Sequence, residues 1–162
     1  MTGTEVHPFG RLVEAVDELQ GSGAVGEEFF LQLGSTPTEP RHVRFERYLS
    51  FGRVVEEVQR ASVVVAHAGA GTVLACIQQG KHPVLVPRQA RHGEAIDDHQ
   101  EPFAAKMGEA GLATVVQDLK ELGPAILRVR TMAARSGHVG GSQELIGWLD
   151  RFWGELARLP HR

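Results

Sequence analysis

The stretch from Val63 to Gln100, "VVVAHAGAGTVLACIQQGKHPVLVPRQARHGEAIDDHQ", decides the fold. It opens on Val63–Ala66, a β-branched run with no polar alternation, which is the pattern of a strand covered on both faces. A small-residue turn follows at His67–Thr72, then helical spacing from Ala70 to Gln79, stopped by Gly80. "HPVLVP" repeats the buried-strand pattern and is closed by Pro87; a crowd of ionisable residues follows it. "DHQEPFAAKMGEAG" then returns to helix and stops at Gly111, with Pro102 close enough to the helix start to be tolerated. Two wholly apolar strands, each followed by a helix through a short connection, specify a parallel sheet wrapped by helices on both sides.

The flanks agree. "PFGRLVEAVDEL" sets Phe9, Leu12, Val13, Val16 and Leu19 at helical spacing. "FFLQLG" (Phe29–Gly34) reads as a short strand, and "VRFERYL" as a strand with one wet face carrying Val43 and Phe45 inward. A helix is expected over about Phe51–Arg60, a strand at "LATVV", and a further helix broken or begun at Pro124. "MTGT" is too short for a full strand before the helix at Pro8, so the leading edge of the sheet is expected to be truncated or very short. After the Gly/Ser loop "RSGHVGGS", an amphipathic helix is expected at about 142–158, with Trp148, Leu149 and Phe152 on one stripe and Trp153 off it. The whole is read as α/β, a doubly wound, mostly parallel, Rossmann-like sheet in one domain over 1–162.

The charge is -3 with acids and bases interspersed, so no basic field points to nucleic acid. A single cysteine, Cys76, excludes an internal disulfide and sits inside an expected helix, as a buried structural thiol does. No apolar run approaches the ~20 residues of a membrane span, so membrane contact is expected only through a partner or a surface patch.

In an open parallel sheet, ligands lie beyond the carboxyl ends of the strands. His67–Thr72 leaves one such end. Ala68, Gly69, Ala70 and Gly71 let backbone approach a ligand, and the helix beginning near Ala70 turns its free N–H groups and positive dipole end to the same place. With Thr72 as a hydroxyl donor and the His67 imidazole, this is an anion site suited to a phosphate or pyrophosphate. It is neither a dinucleotide Gly-x-Gly-x-x-Gly, since Leu74 holds the third position, nor a P-loop. The next strand ends in "PRQARHGEAIDDHQ". Arg91, His92 and Asp97 are read as solvated charge; Asp98 is expected to cap the next helix, with His99 and Gln100 in its first turn. Carboxylate, imidazole and amide together supply what vicinal sugar hydroxyls need. His92 and His99 match no usual metal-site spacing, and no metal is expected.

The array "HAGAGT…GKHPVLVPR…GE…DDHQ…FA…G" resembles the C-terminal, donor-binding domain of the family 28 glycosyltransferases, and "GTEVHPFGRLVEAVDEL" and "EPRHVRFERYLSF" resemble the front and middle of such domains. The resemblance runs from Gly3 to about Val116 and is nearest to single-domain subunits of two-part GT-B enzymes, above all the exopolysaccharide PssE type. It implies a chain that binds a UDP-sugar, needs no cofactor or metal, and works with a membrane-anchored subunit holding a lipid-linked glycan acceptor. It implies a cytoplasmic protein at the inner face of the membrane through that partner. By position, His67 with Gly69, Ala70, Gly71 and Thr72 holds the diphosphate, and Gly3 and Thr4 form an N-terminal loop beside it. Glu94, Asp98, His99 and Gln100 line the sugar, and Arg88 meets a phosphate or a donor carboxylate through a bidentate contact. The implied reaction is an inverting displacement with UDP leaving. Its base is expected from the partner, His99 standing second and His67 acting at the leaving group. Ala75 stands about where many relatives carry the ribose-binding glutamate. Two other readings stay open: a non-catalytic recruiting module for a membrane partner, and a nucleotide-binding regulator that accepts ATP or NAD as well as UDP.

Overall fold

A computed structural model describes residues 1–136; the helix expected at about 142–158, with Trp148 and Trp153, lies outside the described residues. The strand read as buried on both faces is β4 (Val84–Val86), and all three of its side chains are fully buried. Alternation along β4 sends Val84 and Val86 into one core and Leu85 into the other. The first core is closed by α1 (Gly10–Ser22) and α5 (Leu122–Ser136), through Leu12, Val13 and Val16 from the one and Ala125, Ile126 and Val129 from the other. The second is closed by α2 (Phe51–Arg60), α3 (Ala70–Gln78) and α4 (Gln100–Glu109), through Val58, Val73, Cys76, Ala104 and Met107. Helices therefore cover both faces of one sheet. Each boundary has a local cause: Ser50 caps α2 by accepting the Arg53 N–H, Gly80 leaves α3 at φ +68°, and Pro124 sits third in α5 where its missing N–H costs nothing.

β3 (Val65–His67) pairs parallel with β4, and β4 with β5 (Thr114–Val115). β1 (Phe30–Gln32) pairs parallel with β2 (Arg44–Glu46) in a separate ladder. The N-terminal residues join the two. The Met1 amino group donates to Val65 O (2.7 Å), His67 N–H to Met1 O (3.1 Å), and Thr2 N–H to Gln32 O (3.1 Å). Counting residues 1–3 as a first strand, the order across the sheet becomes β2, β1, N-terminal segment, β3, β4, β5. That is the Rossmann order, and the reversal of direction falls between the N-terminal segment and β3. The truncated strand expected at the leading edge of the sheet is therefore at its centre. Residues 1–3 bond both neighbours, to Gln32 of β1 and to Val65 and His67 of β3. Toward the amino ends an apolar cavity of about 630 Å³ lies between β1 and β3, lined by Leu12, Val16, Phe30, Val58 and Val63 among others.

Side chains add to these backbone bonds. Gln32, 5% exposed, accepts the Gly3 N–H (3.2 Å) and donates to Gly3 O (2.9 Å) and Arg47 O (3.1 Å). Gly34 closes the same corner at φ +55°, and a Cβ there would stand 2.1 Å from Gly3 O. Gly34→Ala should therefore lower the unfolding free energy in urea by roughly 2–4 kcal/mol, combining left-handed strain with a backbone collision. An effect below about 0.5 kcal/mol would mean that the N-terminal segment does not lie there.

Candidate functional site

At the switch point, on the carboxyl rim, a cavity of about 270 Å³ opens between the N-terminal segment and the start of α3. It gathers Gly3, Thr4, His67, Gly69, Ala70, Gly71 and Thr72, with Met1, Gln32, Leu49 and Val54 completing its wall. Every residue assigned by the sequence to the diphosphate end, Arg88 apart, is thus in one place. The larger apolar cavity reaches toward the amino ends of the strands; it shares Met1, Gln32 and Leu49 with this one and has none of the diphosphate-end residues.

His67 is the hinge of this geometry. Its ring is pressed under both glycines: a Cβ on Gly3 would stand 2.7 Å from its Nε2, and one on Gly69 2.2 Å. Gly3 and Gly69 are glycine because the imidazole needs their space. Gly71 is different, since a Cβ there would meet nothing within 4 Å. No protein contact demands a glycine at that position, and Gly71 lines the cavity. The first backbone bond of α3 runs from Val73 N–H to Gly69 O (3.0 Å), which leaves the N–H groups of Ala70, Gly71 and Thr72 without partners inside the helix. Their dipole end, together with a buried guanidinium nearby, gives the cavity positive potential without an exposed cation. Burial above all, then the positive charges of Arg88 and the amino terminus, pushes the His67 pKa down to about 3. The ring is neutral at neutral pH, and its Nδ1 is buried without a hydrogen-bond partner.

The β4–α4 loop departs from expectation. None of Arg88, Glu94, Asp98, His99 or Gln100 lines the cavity that holds His67, so the two loops share a rim but do not share this pocket. Arg88, expected at a phosphate, is 1% exposed, and its guanidinium donates to three backbone carbonyls. Glu94, also buried, pairs with Arg11 (2.6 Å) and accepts the Gln89 N–H (3.0 Å). Asp98 does not cap α4; it accepts the Ala90 N–H (2.7 Å) and clasps the loop shut, and the residue before α4 is His99, with no side-chain cap. Gln100 turns its buried amide oxygen to the Arg88 N–H (3.2 Å). Asp98 and His99 are the exposed members of the group; the His99 side chain is 61% exposed and pairs with Asp97, whose carboxyl it holds below the usual range. Arg88, Glu94, Asp98 and Gln100 each spend side-chain polar groups on backbone that would otherwise be unsatisfied.

Comparison with known proteins follows the same lines. The model of the glycosyltransferase family 28 C-terminal domain matches residues 3–138, most of the chain. The chain belongs to this family. A solved structure described as the glycotransferase of kitacinnamycin superposes with a TM-score of 0.57 at 16% identity, over 80% of this chain and 34% of that one. The glycosyltransferase SnogD from Streptomyces nogalater gives a TM-score of 0.49 at 19% identity, over 94% of this chain and 42% of that one. No curated protein matches by sequence. The chain spans about a third of the length of the first of these and shares its fold over that part, a Rossmann-like α/β unit.

Gln32 and Arg88 are the residues whose parts in this site the sequence misassigned or missed. Gln32 sits in an apolar strand, and only its isolation there marked it. Ala75 is 5% exposed on α3. Among the described residues, no group of three or more His, Cys, Asp or Glu could hold a metal ion, and no helix is long and apolar enough to cross a membrane.

The buried imidazole sets a pH dependence. Between about pH 6.5 and 3 the unfolded chain protonates this ring and the folded one does not, so stability is complete above about 6.5 and falls as pH drops through that window. The slope is up to ~1.4 kcal/mol per pH unit for one proton. Urea unfolding of parent and His67→Gln between pH 7 and 4 should show the variant's slope smaller by about one proton; equal slopes would contradict the burial.

Proposed function

We propose that this domain is the donor half of an inverting glycosyltransferase and holds a UDP-sugar with its diphosphate at the start of α3. One observation carries the reading. The space beside Gly71 is open although no protein contact requires a glycine there, and unpartnered N–H groups of a helix N-terminus line the same cavity. A diphosphate fills that space, accepts from those N–H groups, and meets the Thr72 hydroxyl. The neutral His67 offers a hydrogen bond rather than a charge. The donor sugar extends along the rim toward β4, where His99 is exposed at the mouth of α4.

In the reaction an acceptor hydroxyl oxygen forms a bond to the anomeric carbon as the bond from that carbon to the diphosphate breaks, with inversion. The electron pair leaves on UDP, where the helix dipole and N–H groups stabilise the growing charge. The hydroxyl proton goes to a base on the opposite side of the sugar, supplied by a second, acceptor-binding half. We assign that half to a membrane-anchored subunit carrying a lipid-linked glycan, in exopolysaccharide synthesis at the cytoplasmic face. The resemblance to PssE-type subunits supports the assignment.

A non-catalytic module is the second reading. Ala75 without a ribose-binding acid and a β4–α4 loop spent on its own backbone favour it. Calorimetry with UDP, UDP-sugars and ATP separates the two. The donor half binds UDP in the micromolar range and discriminates against ATP; the module binds none of them. Gly71→Leu should not lower the melting temperature, since replacing a helical glycine contributes up to ~1 kcal/mol of stability, yet it should weaken UDP at least roughly tenfold by filling the cavity. Unchanged affinity in a folded Gly71→Leu would refute this placement of the diphosphate.

A further inference from the structure

The polar heart of the molecule is not in the cavity but beneath its roof. Residues Thr2–His7 form an arch whose crown, Thr4–Val6, is exposed and whose first turn, Gly3, covers the His67 ring. Both feet of the arch end on one side chain. Arg88 Nη2 donates to Thr2 O (2.7 Å), and Nη1 donates to His7 O (2.7 Å) and to Glu94 O (2.6 Å). The guanidinium lies 4.9 Å over the Phe9 ring, and its Nε, without a hydrogen-bond partner, is 3.8 Å from the Glu5 carboxylate. Gln32 braces the arch at Thr2 and Gly3, and the Ser35 hydroxyl donates to Glu5 O, but neither reaches both feet.

We infer that Arg88 is a positioning residue of the nucleotide pocket: its planar fork fixes the separation of Thr2 and His7 and so holds the Gly3–Thr4 roof closed over His67 and the α3 N-terminus. This rests on the donor-half reading for its functional consequence, though not for its geometry. A guanidinium suits the task because its N–H groups lie in one rigid plane and stay charged when buried. A lysine in the same place carries the charge on a single flexible point and cannot set a distance between two carbonyls. Arg88 therefore acts on the ligand through the roof, not by touching a phosphate. Its buried charge also keeps a proton off His67 from behind.

The test uses the full chain and Arg88→Lys. In the parent, 15N relaxation should give Gly3–Val6 order parameters near the ~0.85 of rigid backbone, and in Arg88→Lys values below ~0.6. Because lysine preserves the charge, any rise in the His67 ring pKa toward the ordinary 6.5, followed by imidazole NMR, reports water reaching the ring and not a lost cation. With the closed roof populated about a tenth of the time, UDP binding should weaken roughly tenfold. A mobile arch in the parent overturns the inference with no variant needed, which also decides the matter should Arg88→Lys fail to fold. A rigid arch and an unchanged His67 in folded Arg88→Lys overturn it too, and UDP binding lost with the arch unchanged would make Arg88 a direct contact instead. If the parent binds no UDP, the donor-half reading falls, while the relaxation and imidazole results still decide what Arg88 does.

Discussion

The candidate site is arranged around residues 1–3, which lie between β1 and β3 and bond to both. Met1 and Thr2 bond Val65, His67 and Gln32 through backbone groups. Side chains act beside them as backbone does: the Gln32 amide bonds Gly3 at both its N–H and its C=O, and the Arg88 guanidinium takes Thr2 O and His7 O. Buried groups of this kind stabilise only while every partner is present, because an unmet buried carbonyl costs more than a made bond returns. The rim is therefore a set of mutually dependent polar contacts laid over an ordinary apolar core.

The glycines divide along the same line. Gly3 and Gly69 are fixed by the His67 ring and Gly34 by the Gly3 carbonyl, so each is demanded by a neighbour inside the protein. Gly71 has no such neighbour. Gly52, second residue of α2, is equally open; what sets Gly71 apart is the cavity it lines together with Gly3, Thr4 and His67. A neutral imidazole beside it fits an anion already served by backbone dipoles, since a charged ring so deeply buried would need a partner the site does not hold.

Most of the fold was legible because its signals are local. β-branched runs without polar alternation gave β3 and β4, and Gly80, Gly111 and Pro124 marked helix ends where the backbone turns. The glycine turn with His67 was legible too, since spacing alone brings a strand end, small residues and a helix start together. The β4–α4 loop was not. Arg88, Glu94 and Asp98 read as ligand or capping groups in one dimension, yet two of them find their partners far away in the chain, Arg88 at Thr2 and His7 and Glu94 at Arg11. Asp98 followed the capping rule in pattern but was claimed by the Ala90 N–H eight residues back. Local pattern foretells elements and their ends; it does not foretell which of several acceptors a buried donor will reach.

The central claim is that the nucleotide diphosphate sits at the start of α3 under the N-terminal roof. Amide chemical-shift mapping of the 15N-labelled chain during titration with UDP tests it most directly. The largest changes should fall on Gly69–Thr72 and on Gly3 and Thr4. Changes centred on the β4–α4 loop, or on the apolar cavity at the amino ends of β1 and β3, would contradict it.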